Sequence, residues 1–120
     1  MADLLERASA WLEEQRTRHL TRTVSYRRGA ASSPVAATVG KTVFDLDDGT
    51  GAVLRVEARD YLILAADLSL GTPQGGDRIV DQGVVYEVAR FGDEPAWRYS
   101  DPYRRTLRIH TKQVDVEASP

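Results

Sequence analysis

The chain has 120 residues, 42% of them hydrophobic, and its 16 basic and 18 acidic side chains give a net charge of -2. This length fits one domain around a single core and is too short for a two-domain enzyme. The chain has no cysteine and two histidines, which excludes disulfides, thiolate nucleophiles and a three-histidine metal site. No apolar run approaches the roughly 20 residues that cross a bilayer, so we expect a soluble protein without a membrane partner.

The N-terminal segment, residues 3–20, is predicted to be an amphipathic helix. Apolar side chains recur there at three- and four-residue spacing, at Leu4, Leu5, Ala8, Trp11 and Leu12. Asp3 and Glu6 form the aspartate version of a capping box, which marks the start of the helix. We expect this helix to pack on the rest of the domain, with Trp11 as an anchor in the core.

After Leu20 the pattern changes to short alternating runs rich in β-branched and aromatic residues, which predicts strands. Eight strands are predicted: Thr21–Arg27, Val35–Val39, Thr42–Leu46, Ala52–Ala58, Tyr61–Ala65, Arg78–Val80, Val85–Phe91 and Thr106–Lys112. Glycine-rich turn sequences separate several of them, at residues 47–51, 71–76 and 81–83. The segment Gly29–Pro34 is predicted to be a linker.

These elements predict one domain over residues 1–120. The fold class is mainly β with an N-terminal α-helix, because many short strands at this spacing favour a small β-barrel or sandwich. The helix occupies residues 3–20, the β-barrel or sandwich residues 21–113, and a short tail residues 114–120.

Charge is distributed in blocks along the chain. Residues 1–44 carry seven basic and four acidic side chains, residues 45–94 carry four and eleven, and residues 95–112 carry five and one. If folding keeps these blocks apart, the surface has complementary ends, which suits self-assembly; if folding interleaves them, the surface is evenly mixed. The sequence leaves both possibilities open. The near-neutral balance argues against a general binder of duplex DNA, whose surface is usually strongly basic.

Two segments resemble enzyme motifs but lack required residues. Asp45 and Asp47 end a predicted strand as in the haloacid-dehalogenase phosphatases, but Asp48 stands where that motif needs glycine. Val35 stands at the first glycine of a Walker A loop that would end at Thr42, where a side chain obstructs phosphate. We therefore predict a hairpin turn at the first segment, and no cofactor.

Nucleophilic catalysis is equally poorly supported. Each of the seven serines would need His19 or His110 as a base, and no Gly-x-Ser-x-Gly elbow is present. Alternation on the last predicted strand places His110 beside Arg108 and Lys112 on the polar face, which predicts a surface histidine. We predict no catalytic residue and no metal ligand, and conclude that the protein is not an enzyme.

Residues 95–105 form an unusual cluster, with three aromatic residues and three arginines in eleven positions. Such side chains anchor protein interfaces, and they also stack on single-stranded bases. A third interpretation is a loop whose rings plug one end of a barrel, which is compatible with an interface. The candidate interface residues are Trp97, Arg98, Tyr99, Asp101, Tyr103, Arg104 and Arg105.

A predicted hairpin over residues 76–88 resembles a known family. Its residues are Gly76-Asp77-Arg78-Ile79-Val80 followed by Gly83-Val84-Val85-Tyr86-Glu87-Val88. This pattern is similar to one in the head-tail joining proteins of tailed bacteriophages, also called head-completion or stopper proteins. The layout of an N-terminal helix and a small β-barrel also agrees with that family. Residues 97–112 resemble the C-terminal ends of small proteins encoded among phage morphogenesis genes.

The resemblance implies a structural virion protein that forms a ring at the head-tail interface. Its partners would be its own copies, the portal or adaptor protein, the tail terminator, and packaged DNA that passes through the ring or is blocked by it. Its location would be the virion neck, after assembly in the host cytoplasm. In such a ring, the acidic block of one subunit would meet basic residues of the next. The resemblance transfers no catalytic residue.

Two alternatives stay open at this point. A tail terminator or other tail-completion protein also packs a helix against a sheet and also forms rings. A small β-barrel that binds single-stranded nucleic acid would use Trp97, Tyr99 and Tyr103 as stacking rings.

Overall fold

A computed structural model of the protein describes residues 4–8, 10–11 and 21–117. Residues 4–8 and 10–11 are helical, which agrees with the predicted N-terminal helix. The rest of that prediction, including the cap at Asp3, lies outside the described residues.

The described part of the helix exposes its apolar side chains. Leu4 is 80% exposed, Leu5 73% and Trp11 58%. The expectation that Trp11 anchors the helix in the core is therefore wrong. The Glu6 side chain instead forms an ion pair with Arg105, with 3.1 Å between Oε1 and Nη2.

The remaining described residues are mainly β, as predicted. Seven strands form one antiparallel sheet: β1 Arg22–Arg28, β2 Ala31–Asp47, β3 Val53–Leu64, β4 Arg78–Asp81, β5 Val84–Val88, β6 Trp97–Tyr99 and β7 Thr106–Val116. A short 3-10 turn over Ala65–Asp67 follows β3. The strands alternate outward polar and inward apolar side chains through most of their length, which fits one buried face.

The sheet closes on itself. Its strand order is β3-β2-β1-β4-β5-β7-β6, and β3 pairs additionally with β7, so six strands form a closed circuit with β6 attached to β7. We call this closed part the body. Its core contains fully buried side chains from five strands, among them Tyr26, Tyr61, Ile63, Ile79 and Ile109.

Two strands are longer than predicted because residues that resemble breaks lie inside them. β2 joins two predicted strands across Gly40, and β3 joins two across Asp60. A Cβ atom at Gly40 would lie 3.3 Å from Leu62 Cδ1 and 3.5 Å from the Arg108 guanidinium. Glycine therefore permits a close approach at this position and does not end the strand.

The predicted linker Gly29–Pro34 is also wrong. Only Gly29 and Ala30 form a turn, and β2 begins at Ala31. Pro34 lies in the part of β2 that pairs with β1 alone, and prolines are tolerated on such edges because no second neighbour needs the missing N–H. At the other end of the chain, β7 continues to Val116, into the segment predicted as a tail.

The hairpin that carries the family resemblance consists of β4 and β5. Its turn residues Gln82 and Gly83 have φ of 51° and 83°, the left-handed pair typical of a two-residue hairpin turn. Ile79 and Val88 point into the core. The Gly76 N–H donates to the Val88 carbonyl at 3.0 Å and ties the start of the hairpin to its end.

A two-stranded arm extends from the body. We use "the arm" for residues 43–57, in which the last part of β2 pairs with the first part of β3 from Val43 with Glu57 to Asp47 with Val53. β1 accompanies β2 only as far as Ala37, and β7 accompanies β3 only from Arg59. Among the residues that the structure describes, no third strand therefore lies beside the arm.

Candidate interface surfaces

The predicted interface cluster lies at the end of the body that is remote from the arm. In β6, Trp97 is half-buried against the core, and its ring meets Tyr99 edge to face at 5.3 Å between centroids. Tyr99 is 38% exposed, and the Arg104 guanidinium lies 5.8 Å from its ring centroid. Arg98, exposed, lies on the opposite face of the strand, because successive side chains alternate.

Asp101 organises the loop after β6. Its carboxylate accepts the backbone N–H groups of Tyr103 at 3.1 Å, Arg105 at 2.9 Å and Thr106 at 2.8 Å. Arg104, within this loop, has φ of 59°, a left-handed conformation that is uncommon outside glycine. Asp101 thus shapes the loop, and Arg104 is left on its exposed side.

A pocket of about 200 Å³ with both polar and apolar walls lies beside this cluster, and we call it the Trp97 pocket. It is lined by Ala65, Leu68, Gly71, Thr72, Trp97, Tyr99 and Leu107. Trp97 lines this pocket and also packs against the core, so the plug interpretation stays a prediction for this residue. Tyr99 and Arg104 lie at the surface, so the interface interpretation stays a prediction for these residues.

The arm forms a second distinctive surface, and it is acidic. A groove of about 610 Å³ separates the arm from the loop after β5, with Asp45, Asp47, Asp93 and Glu94 among its lining residues. Phe44, Leu46 and Phe91 form its apolar part. The Phe44 and Phe91 rings stack in parallel at 5.2 Å and hold the arm to this loop.

The carboxylates at the end of the arm build its turn. Asp47 accepts the Gly49 N–H at 2.9 Å, and Asp48 accepts the Thr50 N–H at 2.8 Å and the Thr50 hydroxyl at 2.6 Å. Hydrogen bonds from Thr50 hold the pKa of Asp48 below its ordinary value. The prediction of a hairpin turn at this segment is confirmed.

Three aspartates, Asp60, Asp77 and Asp81, are buried in the body, and sequence analysis did not predict that they are buried. Asp77, 3% exposed, accepts the Tyr26 hydroxyl at 2.5 Å and the Arg28 guanidinium at 3.0 and 2.9 Å. Asp81, 2% exposed, accepts the Tyr61 hydroxyl at 2.8 Å and Arg59 at 3.0 Å. Asp77 thereby ties the start of β4 to β1, and Asp81 joins β4 to β3 and, through Arg22, to β1.

These contacts determine the ionisation of both groups. Burial alone would raise the pKa of Asp77, but hydrogen bonds from Arg28 and Tyr26 outweigh burial and keep the pKa below its ordinary value. The same holds for Asp81, where hydrogen bonds from Tyr61 and Arg59 outweigh burial. Both side chains are therefore charged at neutral pH, as structural anchors.

His110 is not the surface histidine that alternation predicts. It is 3% exposed, and its Nδ1 lies 2.7 Å from Oδ1 of the fully buried Asp60, which also hydrogen-bonds to Thr42 and Arg108. The Phe44 ring lies edge-on to the imidazole at 5.1 Å. Alternation fails here because a distant loop that includes Phe91 covers the second face of β7, and no local pattern encodes that cover.

The Asp60 carboxylate is charged despite its burial. Burial raises its pKa, but hydrogen bonds from His110, Thr42 and Arg108 outweigh burial and keep the pKa below its ordinary value. This cluster lies where the arm leaves the body, because Thr42 directly precedes the arm.

The segments that resemble enzyme motifs are structural. Residues 35–42, the incomplete Walker A sequence, form continuous strand within β2. Asp45, the first aspartate of the phosphatase-like sequence, pairs with Arg55 across the arm at 3.3 Å. Over residues 4–8, 10–11 and 21–117, no group of three or more His, Asp or Glu side chains is placed to hold a metal ion. Within the same ranges, no helix is long and apolar enough to cross a membrane.

The protein has a closed antiparallel body, with an acidic arm at one end and an arginine–aromatic surface at the other. It is a small structural module whose distinctive side chains face outward. Comparison with protein families identifies the family to which this module belongs. The phage head-tail joining protein family matches residues 2–118, and the chain belongs to that family. A search of curated proteins finds no match.

Family membership agrees with the resemblance seen in the β4–β5 hairpin. The protein is a structural protein of a bacteriophage and acts at the head-tail junction, in the neck of the virion. Its partners include head and tail components of the phage.

Proposed function

We propose that the protein forms a ring of identical subunits that joins the portal or its adaptor to the tail and helps to retain packaged DNA. One observation carries the proposal beyond family membership: the two distinctive surfaces have opposite charge and lie at opposite ends of the molecule. The 12-residue strand β3 begins in the arm and ends beside the Trp97 pocket, a span of roughly 36 Å.

Surfaces that are unlike and remote from each other favour heterologous contact, in which each subunit presents a different face to each neighbour. Such contacts close into rings when the rotation between neighbours permits it. In this arrangement one face of the ring meets the portal or adaptor and the other meets the tail terminator. DNA passes through the central opening or is blocked there, and subunits assemble in the host cytoplasm.

Folding brings some acidic side chains of the middle block against arginines in the body, and it leaves other acidic side chains of that block apart at the surface. Asp77 and Asp81, from the acidic block, are neutralised by Arg28, Arg22 and Arg59 inside the body. The acidic side chains of the arm and of the loop after β5 stay at the surface. This remaining polarity supports self-assembly.

The nucleic-acid alternative has less support. A stacking platform needs open ring faces, whereas Trp97 packs against the core and Arg104 lies over Tyr99.

The test is electron microscopy of particles made by the native phage after deletion of this gene. We expect tails separated from heads that are DNA-filled or have lost their DNA. Complete, infectious particles would overturn the proposal. Tails of uncontrolled length would overturn the joining role and assign tail completion.

Complementation sharpens this test. The double variant Arg104→Glu, Arg105→Glu is expected to leave heads and tails apart. The matched control is Arg78→Glu, a reversal at an arginine of β4 whose side chain is 51% exposed and which lies outside both surfaces. Full rescue by the double variant would contradict a role of the arginine–aromatic end in assembly.

A further inference from the structure

We propose that Leu54, at the end of the arm, inserts into the Trp97 pocket of the neighbouring subunit, with the acidic groove of the arm opposite Arg104. This inference rests on the proposed ring, and it names the two surfaces through which successive subunits meet.

Near the end of the arm, an apolar side chain is exposed. Leu54 is 57% exposed and pairs with Leu46, on the face of the arm that also carries Phe44 and Val56. This apolar face is continuous from the base of the arm, where Phe44 stacks on Phe91, to Leu54. The opposite face carries the exposed side chains of Val43 and Val53, but the Asp45–Arg55 ion pair lies between them. The face with Leu54 is therefore the one whose apolar residues are continuous along the arm.

The Trp97 pocket is the complementary feature. Leu68, Trp97 and Leu107 give it apolar walls, and its volume of about 200 Å³ accommodates a branched aliphatic side chain. Thr72, an exposed residue, lies at its rim. An apolar surface that matches a pocket elsewhere on the same molecule produces heterologous contact between copies.

Charge fixes the orientation of this contact. Asp47 lies near the end of the arm, and Asp93 and Glu94 line the groove beside it; their carboxylates form no ion pair with the described residues. Arg104, beside the pocket, forms none with them either, and its guanidinium lies over the Tyr99 ring. Opposed charges at the rim of an interface favour the correct partner and suppress incorrect ones.

A subunit does not fill its own pocket. The arm and the pocket lie at the two ends of β3, which is an extended strand of 12 residues. Each subunit therefore donates one arm and receives another, and the contact repeats around the ring with the same polarity.

Site-specific disulfide formation tests the contact, and the chain has no native cysteine to interfere. The double variant Leu54→Cys, Thr72→Cys in assembled particles is expected to give a ladder of multimers on a non-reducing gel after mild oxidation. Two populations that each carry one of these cysteines are expected to give dimers when they assemble together. The reducing gel should return both samples to the single-subunit band.

The matched control is Val53→Cys with Thr72→Cys. Val53 is 69% exposed but lies on the opposite face of the arm from Leu54. We expect a cross-linking yield at least about tenfold lower, because a disulfide needs Cα atoms within roughly 7 Å and Cβ atoms that face each other. Equal yields from the two pairs, or no cross-link from the Leu54 pair, would overturn the insertion of Leu54.

A charge exchange tests the same contact without altering Leu54. Arg104→Glu alone and Asp93→Arg with Glu94→Arg are each expected to lower the titre of infectious particles, and the combined variant is expected to recover most of it. The pairing would be overturned if either Arg104→Glu or the Asp93→Arg, Glu94→Arg variant left the titre unchanged. It would also be overturned if the combined variant did not recover the titre. If deletion of the gene leaves heads and tails joined, the ring proposal itself fails. If deletion separates heads and tails but the cysteine pair gives no cross-link, only the Leu54 contact is refuted.

Discussion

The body and the arm are built from the same two long strands, yet they are stabilised in different ways. In the body, β2 and β3 belong to a closed circuit, Asp60 and Asp81 each join side chains from several strands, and Asp77 binds two side chains of β1. In the arm, the same strands pair with no other strand of the described residues, and side chains such as Phe44, which stacks on Phe91 and lies edge-on to His110, link them to the body. Isolated two-stranded hairpins are marginally stable in water.

This difference separates two tasks of one small domain. Buried ion pairs with full hydrogen bonding fix which strands are neighbours, because loss of one partner leaves an uncompensated charge in the interior. The arm has exposed apolar and acidic side chains that contribute little to folding and are available to another chain. We therefore expect stability to reside in the body, and we propose that the arm serves recognition; the following experiments compare the two.

The largest effect is expected from Asp60→Ala. This change removes the acceptor for His110 and Arg108 in the interior, and we expect the free energy of unfolding to fall by about 3 to 5 kcal/mol. Asp45→Ala, which removes an exposed ion pair of the arm, is the control, with an expected loss below about 1 kcal/mol. Urea denaturation of both variants measures the difference. Similar losses would show that the body does not depend on its buried carboxylates.

Acid is expected to destabilise the body through the same carboxylates. The pKa values of Asp60, Asp77 and Asp81 lie below the ordinary value of about 3.9, so the unfolded chain takes up protons before the folded protein does. The free energy of unfolding is therefore expected to fall as the pH decreases below about 4 through the folded pKa values. Urea midpoints measured from pH 6 to pH 3 test this, and a constant midpoint would contradict it.

Gly92→Ala is expected to loosen the contact between the arm and the body. Gly92 has φ of 61°, and an added Cβ would lie 2.7 Å from Leu46 Cδ2. The left-handed backbone costs alanine about 1 to 2 kcal/mol, and displacement of Leu46 adds to this. Gly49→Ala is the control, because Gly49 is also left-handed but has open space around it. We expect faster amide exchange in residues 43–57 for Gly92→Ala than for the control; equal exchange would refute the contact.

The smallest effect concerns the stacked rings at the base of the arm. A double-mutant cycle of Phe44→Leu and Phe91→Leu is expected to give a coupling energy of about 0.5 to 1.5 kcal/mol. Thermal or urea unfolding of the four proteins yields this value. A coupling energy near zero would indicate that the rings are neighbours without holding the arm.

The strands and tight turns were predictable from local patterns. Period-two alternation identified most of β1, β4, β5 and β7, and the glycine-containing turn sequences at residues 47–51 and 81–83 identified two hairpin turns. Gly40 and Asp60 resembled breaks because an isolated glycine or aspartate weakens a strand signal, and their role depends on Arg108, far along the chain.

Long-range partners explain what sequence analysis missed. Tyr26 and Asp77 are 51 residues apart, and His110 and Asp60 are 50 residues apart, so no local pattern pairs them. The unusual composition of residues 97–105 did identify one candidate surface. The Trp97 pocket was not predictable, because its walls come from two segments separated by more than 20 residues.

The closure of the sheet by β3 and β7 also determines how the domain bears tension. Hydrogen bonds between antiparallel strands run perpendicular to the strand direction. A force applied to the arm along β3 therefore loads all backbone hydrogen bonds of the β2–β3 and β3–β7 pairs at once, and these bonds must break together. A force perpendicular to the strands breaks these hydrogen bonds one after another and needs to be much smaller. In the proposed ring, where β3 leads from one neighbour contact to the other, such domains would resist tension around the ring far better than peeling across it.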